Sequence, residues 1–116
     1  MSELIEFDEK KQVFHLHNQE ISYIFSVVKG GTLSHLYCGK RVRGYHGELA
    51  YPAVDRGFSG NLPGDLDRTF SRDTLPKEYS GAGEMDYHSP ATIVRQANGS
   101  SAVFLHYAGY EIAPGK

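Results

Sequence analysis

The sequence predicts a mostly β chain: an antiparallel β-sandwich, incomplete as it stands, with one long irregular loop. Three observations predict it. Apolar and polar residues alternate through the first forty positions, the period of strands with one buried face. The alternating runs are separated by polar or glycine-rich breaks. No stretch of about eleven residues holds a helical period.

The elements follow in order. Residues 4–7 form a short first strand, ended by the charged turn Asp8-Glu9-Lys10-Lys11. Residues 12–17 alternate, with Phe14 and Leu16 on one face and Val13, His15 and His17 on the other. After the turn Asn18-Gln19, Ile21, Tyr23, Phe25 and Val27 point one way and Ser22, Ile24 and Ser26 the other. Lys29-Gly30-Gly31 supplies a hairpin, because glycine reaches positive φ at little cost. Leu33, His35 and Tyr37 then alternate with Ser34, Leu36 and Cys38. The meander is expected to carry one apolar face. Residues 55–90 are polar and turn-rich, and a loop of that length in a small domain is uncommon. Its aromatics, Phe58, Phe70, Tyr79 and Tyr87, argue against plain disorder. Strands resume at 92–96 and 101–107, on either side of an Asn98-Gly99 turn, and Tyr110-Glu111-Ile112 begins another extended piece. Strand-like residues run almost to the last position with no capping helix or polar tail. The chain is therefore expected to be the front part of something larger.

Composition narrows the function classes. With 116 residues the chain is one domain at most, and its net charge of −2 leaves no footprint for nucleic acid or an anionic membrane. No segment approaches the ~18 apolar residues of a membrane helix. The first residues carry acids where a signal peptide carries lysines or arginines, so a cytoplasmic location is expected. Cys38 is the one cysteine, which excludes an internal disulfide. It sits on an alternating strand beside glycine and reads as a small semi-buried residue, not a nucleophile. Six histidines invite a metal site, with His15 and His17 on one face and His35 nearby. No histidine has a close acidic partner in a recurring ligand pattern, so no metal and no cofactor are expected.

The acids of residues 55–90 read mostly as turn formers that bond their own backbone two residues on. Asp55-Arg56-Gly57-Phe58 and Asp67-Arg68-Thr69-Phe70 stand apart. An aromatic ring beside a carboxylate and a guanidinium suits a sugar: the ring covers the apolar face of a pyranose and the charged groups meet its hydroxyls. The same pairs suit a structural ion pair that pins the loop. On residue type alone both readings stand.

Longer motifs go further. Ile21-Ser22-Tyr23, Gly31-x-Leu33-x-His35-Leu36-Tyr37-x-Gly39-Lys40 and Asp55-Arg56-x-Phe58-Ser59 occur in that order. Asp67-Arg68-Thr69-Phe70-Ser71-x-Asp73-x-Leu75-Pro76-x-Glu78-Tyr79 and Gly83-x-x-Asp86-Tyr87-x-x-Pro90 follow. Together they resemble the N-terminal region of bacterial α-galactosidases of glycoside hydrolase family 36, almost from end to end of the chain. The resemblance implies that residues 1–116 are part of a β-supersandwich domain preceding a (β/α)8 catalytic barrel. It implies a retaining enzyme acting on terminal α-galactosyl residues of melibiose- and raffinose-type sugars. The two catalytic aspartates belong to the barrel, so no catalytic residue is expected here and the chain alone is expected to be inactive. In tetrameric members, loops of this domain reach a neighbouring subunit's active site. The matching positions are Asp55 and Arg68, with Phe58 and Phe70 as supports. The implied partners are α-galactosides, the chain's own barrel and neighbouring subunits of a homotetramer. The sequence departs from the family at Tyr37-Cys38, where members often carry tryptophan. Two other readings are a free-standing carbohydrate-binding sandwich and a purely structural oligomerisation domain.

Overall fold

The structure is a computed structural model, and it describes residues 4–45, 61, 64–71, 75–82 and 89–114. Four strands make one antiparallel sheet in sequence order: β1 (Ile5–Asp8), β2 (Val13–His17), β3 (Ile21–Val28) and β4 (Thr32–Lys40). Among the described residues there is no helix. The expected class, mostly β and antiparallel, is therefore what the chain adopts.

Each turn is closed by its own chemistry. The β1–β2 turn is held by Asp8, whose Oδ1 accepts the Lys10 and Lys11 N–H groups at 3.0 and 3.1 Å. Asn18 does the same between β2 and β3, accepting from Glu20 and Ile21 at 2.8 and 2.9 Å. Between β3 and β4, Val28 pairs with Thr32, and Gly30 and Gly31 take φ of 82° and 75°. A Cβ on Gly31 would also stand 3.1 Å from the Tyr107 nitrogen, so both conformation and space call for glycine there.

The register sorts side chains into two faces. Phe7, Phe14 and Phe25 lie opposite one another across three strands, as do Ile5, Leu16 and Tyr23. Phe14 stacks on Phe25 with ring centroids 5.0 Å apart, touches Phe7 at 4.3 Å and meets Tyr110 edge-on at 5.2 Å. The C-terminal segment thus covers this aromatic face through Tyr107 and Tyr110. The other face carries Ser22, Ile24, Ser26 and Ser34, and it is the more deeply buried: Ser22 is 1% exposed, Ile24 and Ser34 0%. The expected single apolar face is thus two buried faces, one aromatic and one of small hydroxyl side chains. The Ser22 hydroxyl is buried with its hydrogen bonding satisfied, by backbone and by His15. Ser22 Oγ accepts the Val42 N–H at 3.0 Å, and Arg41 N–H donates to the Glu20 carbonyl.

Two expectations are corrected. Tyr37 does not share a face with Leu33 and His35. Pairing runs Phe25 to His35 and then Ile24 to Tyr37, so Leu36 is the extra residue of a β-bulge. One inserted residue inverts every later side chain, which puts Tyr37 opposite Ile24 and Cys38 opposite Tyr23. Cys38 is consequently exposed rather than semi-buried. Residues 92–96 and 101–107 form no regular strand; of them Thr92 pairs, in an isolated parallel bridge with Gly81. The Asn98-Gly99 turn does form, with Gly99 at φ 87° and Gln96 N–H donating to Ser100 O at 2.8 Å. Beyond it the segment is tied at separate points, Val103 N–H to Ala82 O and Tyr107 N–H to Gly31 O.

Residues 75–78 cap the open edge of β4. His35 N–H donates to Pro76 O and Glu78 N–H to Leu33 O, at 2.8 and 2.9 Å, around a bridge between Ser34 and Lys77. A short added edge of this kind removes an unpaired row of donors and acceptors.

Candidate functional site

Of the four residues expected at a site, Arg68 and Phe70 are described; Asp55 and Phe58 lie outside the described residues. Residues 64–71 make a tight loop held by its own acids. Asp65 Oδ1 accepts the Asp67 N–H at 2.9 Å, as the turn reading of these acids anticipated; Asp67, which the sequence set apart as half of an acid–arginine pair, also accepts a turn N–H, that of Thr69 at 3.0 Å. Asn61 Nδ2 donates to the carbonyls of Arg68 and Phe70 at 3.0 and 2.8 Å. Arg68 is exposed, Phe70 is half-buried, and Leu66 stands 96% exposed.

The loop is joined to the sheet at Lys29, in the β3–β4 turn. Its ammonium pairs with the Asp65 carboxylate, lies 3.5 Å from Asp67 Oδ2 and sits 5.8 Å from the centre of the Phe70 ring. The Asp65 hydrogen bond holds the Lys29 ammonium above its usual range. Lys29 in turn is the main reason the Asp65 carboxyl is held below the usual carboxylate range. Asp67 is lowered chiefly by the hydrogen bonds from Thr69. The acid that precedes Arg68 is therefore engaged by Lys29 and Thr69. Spacing could not show Lys29, which reads as part of a Lys-Gly-Gly turn.

A second anchor holds residues 75–82. Glu78 accepts a hydrogen bond from the Tyr23 hydroxyl through Oε2 and lies 2.8 Å from His35 Nδ1 through Oε1. This bond to Glu78, before burial, pushes the Tyr23 hydroxyl up to about 12. Close by, Gly81 packs against the Val103 backbone, where a Cβ would stand 2.2 Å from the carbonyl oxygen.

On the hydroxyl face, Glu6 meets both strand histidines. Its Oε2 lies 3.1 Å from His17 Nε2 and 3.5 Å from His15 Nδ1, and His15 Nε2 lies 2.8 Å from Ser22 Oγ. Potential ligand atoms of the three residues fall within 4.8 Å of one another. The expectation that the histidines lack acidic partners is corrected here: Glu6 pairs directly opposite His15 in the β1–β2 ladder, and Glu78 reaches His35. Linear spacing cannot show either, since both partners arrive through tertiary pairing. Burial, then the neighbouring His17, holds His15 below its ordinary value; Glu6 opposes this and Arg41 adds to it. A cation placed here would displace the existing bonds and face the Arg41 charge.

Residues 31–116 match the family described as Glycosyl hydrolase family 36 N-terminal domain. Alpha-galactosidase 1 of Pediococcus pentosaceus is 69% identical over 97% of this chain and 15% of its own length. A solved structure of the galactosidase domain of AgaSK, a bifunctional α-galactosidase/sucrose kinase of Mediterraneibacter gnavus, superposes with a TM-score of 0.86 at 37% identity. It covers 97% of this chain and 16% of that one. A variant of α-galactosidase AgaA from Geobacillus stearothermophilus, solved in complex with stachyose, superposes with a TM-score of 0.80 at 42% identity. It covers 90% of this chain and 14% of that one. The chain thus spans about 15% of the length of the curated relatives it matches.

Proposed function

The chain belongs to the glycosyl hydrolase family 36 N-terminal domains, and we propose that it serves as the supporting N-terminal domain of a retaining α-galactosidase. The enzyme removes terminal α-D-galactosyl residues from melibiose- and raffinose-type sugars. This domain supplies assembly contacts and part of the substrate pocket, and the catalytic aspartates come from a (β/α)8 barrel elsewhere in the enzyme. The observation that carries the reading is the 69% identity to an α-galactosidase over 97% of this chain and 15% of that protein.

Arg68 and Phe70 fit the supporting part. An exposed guanidinium on a backbone fixed on both sides can donate several hydrogen bonds to sugar hydroxyls without first ordering its loop. Asp55 and Phe58 complete the proposed set. In the full-length enzyme, Asp55→Ala and Arg68→Ala raise KM for raffinose or lower kcat. Unchanged kinetics in an intact tetramer would end the loop claim.

A purely structural assembly role has its own support. Ile93, Val94, Leu105 and Ile112 remain between 45% and 65% exposed on the C-terminal segment, apolar surface that association would cover. Replacing Leu105 and Ile112 by serine in the full-length enzyme weakens its assembly by light scattering if these side chains bury on association. An unaltered mass excludes that role for them.

A further inference from the structure

We propose that Lys29 is a positioning residue for the substrate pocket, acting through Arg68; the proposal rests on the reading of Arg68 as a sugar-side group. Lys29 comes from the rigid end of the sheet. It follows β3 directly, in a turn whose two glycines are locked at positive φ and whose carbonyls are occupied from the other side. Gly31 O accepts the Tyr107 N–H at 2.8 Å, and Gly30 O lies 2.9 Å from His106 Nδ1. The turn that carries the lysine is therefore tied to one distant part of the chain, residues 106–107.

Its ammonium draws in two carboxylates that would otherwise repel each other. Asp65 and Asp67 both turn Oδ2 toward Nζ while each Oδ1 holds the backbone two residues on. Lys29 therefore couples the sheet to the turn geometry that immediately precedes Arg68. Asn61 fixes the other side by taking the Arg68 and Phe70 carbonyls, and the Phe70 ring lies within cation–π reach of the same ammonium. Remove the charge at position 29 and the two aspartates have no shared counter-ion. The loop then loses its tie to the sheet just before Arg68, and part of the cost of ordering that turn falls on the substrate. That cost falls on binding more than on the chemical step, because no group of this loop touches a reacting bond in the proposed arrangement.

The test uses the full-length enzyme with Lys29→Met, Lys29→Arg and Arg68→Ala, and raffinose as substrate. Lys29→Met is expected to raise KM roughly two- to fivefold, the range open to an exposed ion pair, with kcat changed less than about twofold. Lys29→Arg restores most of the loss, since a guanidinium can also reach two carboxylates. Raising salt weakens raffinose binding by the native enzyme more than by Lys29→Met, because the pair is solvent-accessible. If Arg68→Ala raises KM and Lys29→Met leaves it unchanged, the proposal is overturned and the sugar-side reading of Arg68 stands. If Arg68→Ala itself changes nothing, that reading falls and takes the proposal with it. A loss in Lys29→Met that Lys29→Arg does not rescue also overturns it, since charge would then not be the cause.

Discussion

Tyr23→Phe removes one hydroxyl and tests the second anchor of the long loop. The phenol donates to Glu78, whose side chain is 17% exposed and also meets His35. A neutral donor on a carboxylate is worth about 1.5–3 kcal/mol when shielded. The rise of the Tyr23 hydroxyl from 10.0 to about 12 gives a similar upper bound at about 1.4 kcal/mol per unit. Tyr23 is only half-buried, so solvent screening reduces the expected loss to about 1–2 kcal/mol. The amides that report it are Glu78 N–H and His35 N–H, which join residues 75–78 to β4. Their hydrogen exchange should accelerate roughly 5- to 30-fold in the variant if they exchange by local opening. The pH dependence has a definite sign. The folded value is raised, so the contribution is complete below pH 10 and fades as pH climbs through about 12. The native protein should lose stability in that window, and Tyr23→Phe should lose less of it. Exchange that differs less than twofold, with an unchanged alkaline slope, would refute the reasoning.

Three further outcomes follow from single positions. Phe14→Ala empties the centre of the aromatic face, where Phe7, Phe25, Tyr107 and Tyr110 meet, and should cost about 3–5 kcal/mol in denaturant unfolding; Phe14→Leu should cost distinctly less. Gly31→Ala combines φ of 75° with a 3.1 Å approach to the Tyr107 nitrogen, so it should destabilise by about 1–3 kcal/mol and speed exchange of the Tyr107 amide first. His15 is held below 6.5, chiefly by burial, so its contribution is present above 6.5 and is lost as pH falls from there through its lowered folded value. Melting temperatures from pH 7.5 to 5 should therefore fall less steeply in His15→Gln than in the native protein.

Local features of the fold were legible in the sequence where chemistry is local. Alternation marked the strands, and Asp8, Asn18 and Gly30-Gly31 marked their turns, because those residues satisfy the turn backbone by themselves. Pairing-dependent features were not. The bulge at Leu36 has no composition of its own, yet it inverted Tyr37 and exposed Cys38. Residues 92–96 and 101–107 show that alternation records a face available for burial, while a ladder also requires a strand alongside. In the candidate site, motif order singled out Arg68 and Phe70, and the turn-forming role of Asp65 came from residue type, whereas that of Asp67 did not, because its arginine neighbour pointed to an ion pair instead. Nor did the roles of Lys29, Tyr23 and His35, because each residue acts across more than thirty residues of chain through a fold that must first exist.

The two anchors of the long loop are built differently, and the difference bears on function. The Lys29 pair is ionic and sits at the hairpin tip, with the lysine side chain 44% and the Asp65 side chain 18% exposed. The Glu78 anchor lies against the sheet, has two hydrogen-bonding partners and is reinforced by backbone pairing along the β4 edge. Salt and neighbouring charges therefore act first on residues 64–71 and much less on residues 75–82. The order of the segment carrying Leu66 and Arg68 therefore depends on an ion pair that salt weakens, while residues 75–82 keep their register on the β4 edge. Binding groups need positioning as close as catalytic groups do, so weakening the Lys29 pair should disturb whatever residues 64–71 contact before it disturbs the sheet.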